Sequence, residues 1–395
     1  ADNPSGQAER AALVNIGETM AHDFNKMYQD LHTLQRNING SIKGTVDDIN
    51  AITEQIVELN EKISSIEVST DMANDFRDQR EALLDELADK IGISFLEDDI
   101  GQVSIFLENG NPLVQARMKW DLAVEVNVAN ENFYDVSWDD GTGTLYSITD
   151  QIARGELSGM IEMRDNAIPD YVSKLDRLAG GIINEINKLH YYGYGLDGST
   201  ENNFFVPLSV ATGFSEDNTG GGVITGGVPS VYDNTALTLD DYEIRFTGVN
   251  TFEIHNVTDG TQVQDARVDG TVTPGGSFGY TDPTTIEFEG IRVEINNGAA
   301  GGPAAGDVFN VSSTGDTAKF MAVDSAVVSD NSKIAASEGA EGDDNVNVLA
   351  IAALRDGNYM NNNTSTFSGY YSGVVGEVGV DAQTASRSAS YRQTM

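Results

Sequence analysis

Two stretches of the chain carry the letters of catalytic or nucleotide-binding loops. Gly275-Gly276-Ser277-Phe278-Gly279 has the spacing of a nucleophile elbow, in which a serine sits on a sharp strand-to-helix turn and a later histidine takes its proton. The surroundings do not support that chemistry: Pro274 precedes the motif, Asp282-Pro283 follows where a helix would begin, and the last histidine, His255, lies upstream. Gly193-Tyr194-Gly195-Leu196-Asp197-Gly198 has the spacing of a dinucleotide fingerprint, which needs a strand feeding a helix N-terminus whose free N–H groups meet phosphate. Here the motif follows a helical pattern and reads as a helix stop and turn. The four histidines, His22, His32, His190 and His255, are never three or four residues apart, so no helix face offers a pair to a metal; surface or packing roles are expected.

The acidic clusters Asp139-Asp140-Gly141, Asp240-Asp241 and Glu341-Gly342-Asp343-Asp344 lack the oxygen spacing and closing Glu of a calcium loop and read as turn acids. Paired carboxylates for glycoside hydrolysis cannot be singled out among 62 acidic residues. Asn256-Val257-Thr258 and Asn310-Val311-Ser312 are glycosylation sequons by letter only. With no cysteine, disulfides, thiolate metal sites and cysteine nucleophiles are excluded. No catalytic, cofactor-binding or metal-ligating residue is assigned, and neither a cofactor nor an enzymatic activity is expected.

The elements behind these residues explain the emphasis on packing. The 395-residue chain is 39% apolar, enough for a sizeable core and more than one domain, and carries a formal charge of −39. Such charge repels phosphate backbones and anionic lipids, so nucleic acid and membrane partners are not expected. No apolar run reaches the ~18 residues of a membrane span, and Ala1 to Arg10 lacks the basic start and apolar centre of a secretory signal. Asn3-Pro4 reads as the cap and first position of a helix already under way, so an upstream segment is expected.

Leu13, Ile16, Met20, Phe24, Met27, Leu31, Leu34, Ile38 and Ile42, then Ile49, Ile52, Ile56, Leu59, Ile63 and Ile66, recur at steps of three and four. One helix of roughly 60 residues, about 90 Å long, is the simplest account. A break at Gly40 and Gly44 into two helices stays open. A second helix carries Met72, Phe76, Leu83, Leu84, Leu87 and Ile91 between an Asp71 cap and Gly92, and is expected antiparallel to the first. Short strands follow at 93–97, 102–108, 122–128, 133–138 and 144–148. Ile161, Ile168, Leu175, Ile182 and Leu189 then repeat at a spacing of seven, with Pro169 predicting a kink or restart near Asn166.

After Tyr191 the chain turns Gly-, Thr- and Val-rich up to Asp316. Strands are predicted at 236–239, 242–247, 251–256, 285–288, 291–295 and 308–311, with turns at Asp259-Gly260 and Asp269-Gly270. Arg245, Arg267 and Arg292 are its only basic residues between Val206 and Asp316, so this region is expected to face solvent. Helical patterns return at 344–355 and in the stripe Phe367, Tyr371, Val374, Val378, Ala382, Ala385 and Ala389, which runs into the last residue, Met395. The two end helices are expected to lie side by side. The predicted fold is α+β and multidomain: an elongated discontinuous helical rod over 1–205 and 317–395 with a β meander at 93–150, and an inserted β-rich outer domain at 206–316.

Asp75-Phe76-Arg77-Asp78-Gln79-Arg80-Glu81-Ala82-Leu83-Leu84-Asp85-Glu86-Leu87, followed by Asn111-Pro112-Leu113-Val114, resembles the flagellar hook-associated protein 1 family in its DQR-type helix and GQPLV-like turn. Arg154-Gly155-Glu156-Leu157-Ser158-Gly159-Met160, Met163-Arg164-Asp165, Ile168-Pro169 and Leu175-Asp176-Arg177-Leu178-Ala179 follow that family's order of GGEL, RD, IP and LDRLA. The match continues at Asn184, Asn187, His190, Gly195, Phe204-Phe205, Ile334-Ala335-Ala336 and 345–354, and is least in the Gly-rich region. The resemblance implies a structural subunit between hook and filament, packing laterally against hook protein, another hook-associated protein and flagellin. It also implies an extracellular place in the flagellum, reached through flagellar type III secretion without a cleaved signal. Relative to the family, the N-terminal segment and the last helix are missing. Those ends drive self-association, so the fragment is expected to be polymerisation-deficient and monomeric. The competing reading is a binding module, an adhesin-like or calcium- or glycan-binding β domain on a helical stalk; calcium titration separates the two.

Overall fold

The computed structural model describes residues 5–67, 73–215, 217–233, 235–340 and 344–392, without the side chains of 228, 229 and 386–392. The expected caps at Asn3-Pro4 and Asp71, residues 341–343 of the third acidic cluster and the terminal Met395 lie outside these residues. The chain forms two compact units, Asp30–Asp170, and Ala1–Gln29 with Tyr171–Met395. Helix α1, Gln7–Glu67, runs uninterrupted for 61 residues. Gly40 and Gly44 do not break it: a Cβ at either would meet nothing within 4 Å, so both lie on the open side while Ile42, Val46 and Ile49 bury the other. Each costs about 1 kcal/mol of helix propensity, less than one buried Ile returns.

In the unit 30–170, Ile42, Val46, Ile49, Ile52 and Ile56 of α1 pack with Leu84 and Leu87 of α2, Asn74–Lys90. The two run antiparallel, because Arg77, Arg80 and Lys90 of α2 reach Glu67, Asn60 and Asp48 of α1 in reverse order. Two antiparallel meanders close the same core: β1 Ile93–Glu97, β2 Val103–Leu107, β3 Pro112–Gln115 and β4 Met118–Lys119 in one, and β5 Leu122–Asn127, β6 Phe133–Asp139 and β7 Leu145–Ser147 in the other. Val103, Ile105 and Leu107 alternate inward along β2. Helix α3, Glu156–Glu162, passes through a π-helical turn at Met163–Ala167 into α4, Ile168–Tyr192. This is the irregularity that Pro169 predicts: a proline in the first turn of α4 has no N–H to give the preceding turn.

In the other unit, ten strands form two five-stranded antiparallel sheets. In chain order they are β8 Ala211–Phe214, β9 Gly222–Val231, β10 Asp241–Gly248, β11 Thr251–Asn256, β12 Asp265–Val268, β13 Thr271–Pro274, β14 Phe278–Gly279, β15 Thr284–Phe288, β16 Ile291–Asn297 and β17 Val308–Ser312. One sheet has the order β14-β11-β10-β17-β8, the other β13-β12-β15-β16-β9. Tyr242 of the first meets Phe288 of the second edge-on at 5.0 Å, so their inner faces share one core. The expected strand Ala236–Leu239 is instead an irregular loop, with Leu237 and Leu239 buried and Leu239 in the left-handed region at φ 63. Conversely, the Gly-rich stretch contains β9. Gly227 leaves room there for Arg292, whose Cγ would lie 2.7 Å from an added Cβ. Short helices α5 Thr317–Phe320, α6 Ser325–Ser329 and α7 Val346–Ala353 lead to α8, Phe367–Arg392.

The expected stripe holds on the second half of α1 and shifts on the first. Arg10, Val14, Ala21, Phe24 and Tyr28 are buried, whereas Ile16 is 65% exposed. Gly17 supplies the contact: a Cβ there would lie 2.8 Å from Phe204 and 2.9 Å from Val323. On α8 the buried line is likewise shifted, with Tyr370 buried and Tyr371 and Val378 exposed. The ties of α8 run to α4, where the Tyr171 hydroxyl donates to Asp381 at 2.6 Å and Lys174 pairs with Glu377 at 2.7 Å. Overpacking at Gly17 is testable. Gly17→Leu is expected to lower unfolding stability by about 1–3 kcal/mol in chemical denaturation, and Ile16→Ala to change it by less than about 0.5 kcal/mol.

Candidate functional site

Asparagine is a poor residue for a helix interior, yet α1 carries it at positions that face other segments. The Asn50 amide donates to Leu122 O at 2.8 Å, and its oxygen accepts from Leu122 N at 2.9 Å, pairing with the first residue of β5 as a strand would. Asn60 donates to Val103 O and Ala116 O and accepts from Val103 N and from Arg80. Asn39 accepts from Tyr134 N and Arg164. In the other unit, Asn25 donates to the carbonyls of Ala318, Lys319 and Met321. Each side chain satisfies backbone groups that a segment pressed on a helix would otherwise bury unpaired.

Two arginines complete these ties. Arg80, 3% exposed, donates to Asn60, to Gly101 O at 2.5 Å and to Glu97 at 3.2 Å. Arg164 is fully buried in the π-helical turn, bidentate to Asp165, bonded to Asn39 and Tyr134 O, and stacked over the Phe133 ring. Gly155, at φ 90, starts α3 where a Cβ would lie 2.5 Å from Lys90 O.

A second cluster ties α4 to the loops around it. Asn187 accepts from Phe204 N and Phe205 N and donates to Phe205 O. His190 is fully buried; its Nδ1 pairs with Asn202 O at 2.7 Å and its Nε2 accepts from Ala335 N at 2.9 Å. Both bonds require the neutral tautomer with the proton on Nδ1. Burial pushes its pKa down to about 4. Asn347 donates to Leu189 O and Ala335 O, and Arg10 to Ile334 O at 2.7 Å. Neighbouring residues of α4 then grip the β region at an inner loop and at its exit. Arg177 holds Leu239 O, Asp240 and Thr258, while Asp176 accepts from Asp316 N and Ala318 N. Burial, with Asp316 and Asp241 nearby, pushes the Asp176 carboxyl up to about 7.

Apart from His190 and Asp240, the residues considered for chemistry sit elsewhere, and they do not converge. Gly275 and Gly276 form a positive-φ turn bonded to Gln264 O, and Ser277 is followed by buried Phe278 in β14. Gly193 to Gly198 form the turn after α4. His22 is exposed on α1, His32 lies 4.0 Å from Glu131, and His255 pairs with Glu253 at 3.0 Å. Asp139 and Asp140 accept from backbone N–H groups of their own turn, Asp240 is shared by Arg177 and Asn256, and Asp344 accepts from Glu338 N, Gly339 N and Val346 N. Asn256 of the first sequon is buried, and Asn310 lies in β17. Among the described residues, no helix is long and apolar enough to cross a membrane.

Comparison with known proteins places this arrangement. The family model described as "Flagellar hook-associated protein FlgK helical domain" matches residues 1–205. The chain belongs to that family. Flagellar hook-associated protein 1 of Escherichia coli (strain K12) is 27% identical over 393 residues, 98% of this chain and 68% of that protein. The Bacillus subtilis (strain 168) protein of the same name is 23% identical over 397 residues, 100% of this chain and 63% of its own. The flagellar hook junction protein FlgK from Burkholderia pseudomallei has a similar fold, with a TM-score of 0.65 at 16% identity over 99% of this chain and 88% of that one. The chain is a structural component of the bacterial flagellum, of the hook–filament junction class, and nothing supports the adhesin-like alternative.

Among the residues that carried the family resemblance, Arg80, Arg164, Asp176, Asn187 and His190 are buried ties and Arg177 is a half-buried one. Removing one should be costly. Arg80→Met is expected to destabilise by about 3 kcal/mol, because Asn60 and Gly101 O lose a charged donor, whereas Lys119→Ala at the surface should cost under about 1 kcal/mol. The two shifted titrations act in opposite senses. His190, depressed when folded, contributes stability above pH 6.5 that is lost as pH falls toward about 4, by at most about 3 kcal/mol. Asp176, raised when folded, costs stability above about 7 and returns it as pH falls toward its unfolded value. Between pH 7 and 5, the stability of His190→Gln relative to wild type should therefore rise, and that of Asp176→Asn should fall; denaturant titrations at each pH measure both.

Proposed function

We propose that the chain acts mechanically and without catalysis, joining hook to filament by lateral packing of its helix surfaces against neighbouring subunits. The observation that carries this is α8. Of its described side chains only Tyr370 is buried, and Tyr371, Val375, Val378 and Val380 are 47%, 52%, 39% and 61% exposed. A helix that buries no apolar stripe in its own fold has that surface left for another. Ile16 on α1 repeats the pattern. The neighbours on this reading are hook protein, another hook-associated protein and flagellin, with further copies of the subunit in a closed ring. The acidic β region, 206–316, is an inserted domain on the outer side of the assembly, where its charge favours solvent. The net charge of −39 keeps isolated chains apart and disfavours nucleic acid and membranes. Export proceeds through the flagellar secretion channel without a cleaved signal, and the working place is extracellular.

The test is a chromosomal copy carrying Val375→Asp and Val378→Asp. Cells are expected to make hooks without attached filaments in electron micrographs, while the purified variant unfolds within about 0.5 kcal/mol of wild type because both positions are exposed. Normal filaments would overturn the reading.

A further inference from the structure

A polar cleft of about 540 Å³ lies within the unit formed by residues 1–29 and 171–395, between α4, the loop at 235–240 and the loop before α8. Its volume is that of a ligand site, and its walls are mostly amide, hydroxyl and charged groups, with Leu237, Leu239, Tyr359 and Met360 among them. Arg177 and Lys188 are its cations, and they already pair with Asp240 at 3.0 Å and Glu185 at 2.8 Å. Asp259, whose Oδ1 accepts from Thr261 N and Oγ1, and Glu289, which accepts from the Tyr242 hydroxyl, carry charge with no cation beside them in the cleft, leaving a surplus of negative charge.

The rim is the unusual part. Asn361, Asn362 and Asn363 stand consecutively in the left-handed region, at φ 51, 54 and 60, a conformation that most side chains resist. The loop is held shut beneath them: Ser365 N donates to Met360 O and Met360 N to Ser365 O, both at 3.0 Å, and Met360 is buried. The three side chains are exposed and have no hydrogen-bond partner among the described residues. Asparagine takes this conformation more readily than other side chains, and the turn sets three adjacent amides beside the cleft.

A primary amide donates and accepts, as a peptide group does, so a row of amides matches a polypeptide main chain, and the uncompensated carboxylates match a basic side chain. We propose that this cleft receives an extended peptide segment carrying Arg or Lys from a neighbouring subunit, with Asn361, Asn362 and Asn363 pairing to its main chain and Asp259 to its charge. The proposal rests on the junction reading and adds a specific polar contact to the helix packing. A second copy of this strongly acidic chain is the less suitable donor.

The probe is a fluorescein-labelled Gly-Arg-Gly-Lys-Gly peptide with blocked ends, followed by anisotropy against the full chain at 0.15 M salt, with Gly-Gln-Gly-Gln-Gly as the neutral control. Saturable binding of the basic peptide alone is expected. It should weaken at least about tenfold both in Asp259→Asn and in the triple variant Asn361→Gly, Asn362→Gly, Asn363→Gly, the factor that one or two lost hydrogen bonds carry. Glycine takes the left-handed conformation without strain, so the triple variant should unfold at the wild-type denaturant concentration or above. Absence of saturable binding, equal binding of the neutral peptide, or binding unchanged in both variants overturns the proposal. Such a failure beside filament loss in the α8 variants leaves the junction reading standing.

Discussion

A segment of irregular backbone pressed against a long helix has a difficulty that neither partner solves with its own main chain. The helix has spent its peptide groups internally, while the loop or strand end still carries N–H and C=O groups that burial would strand, at about 1–3 kcal/mol each. The fold answers with side chains: Asn25, Asn39, Asn50 and Asn60 on α1, and Asn187 and His190 on α4, each bonding backbone groups of the segment laid on them. An asparagine can both give and accept, so one residue closes both groups of a peptide unit, as Asn50 does at Leu122. The price is helix propensity, a few tenths of a kcal/mol per residue, which is small beside two satisfied backbone groups.

The same constraint explains why charge is found inside. Arg80 and Arg164 bury guanidinium groups because their fork of donors reaches several carbonyl and amide oxygens at once, which an aliphatic residue of similar volume would leave unpaired. Asp176 and Arg177 apply it to the β region from consecutive positions on α4. One carboxylate collects the N–H groups of Asp316 and Ala318 at the exit, and one guanidinium collects Leu239 O and Asp240. The unfavourable ionisation of Asp176 comes from burying this acceptor, with Asp316 and Asp241 nearby adding to it.

What could be read in the sequence follows from side-chain size. The second half of α1 was legible because large aliphatics mark its buried face, Ile42, Ile49, Ile52, Ile56 and Ile63. The first half was displaced because Gly17 and Ala21 do the packing and Arg10 is buried, and a count of large apolar residues passes over all three. Strands β10, β11, β15, β16 and β17 alternate clearly, whereas β9 does not, since glycines there admit neighbours instead of filling space. Mid-helix asparagines were the available signal for the ties, being the wrong residues for solvent-exposed helix. The cleft had no such signal, because it joins residues from 177 to 363 that only the folded chain brings together.

These inward ties bear on how the surface can serve assembly. If α1 and α4 satisfy their neighbours through buried side chains, their positions do not depend on what covers the outer faces, and an exposed apolar helix such as α8 can be held ready without rearranging the fold beneath. Its own attachment follows the same rule with fewer bonds: Tyr171 to Asp381 and Lys174 to Glu377, polar contacts that fix the helix while leaving Tyr371, Val375, Val378 and Val380 outward. Among its described side chains the apolar anchors sit in the first turn, where Tyr370 is buried and Phe367 stacks on Tyr359, so the apolar groups farther along stay free for a neighbour on the proposed reading. On the proposed reading, attachment mainly through polar groups on one side leaves apolar surface on the other for a neighbour.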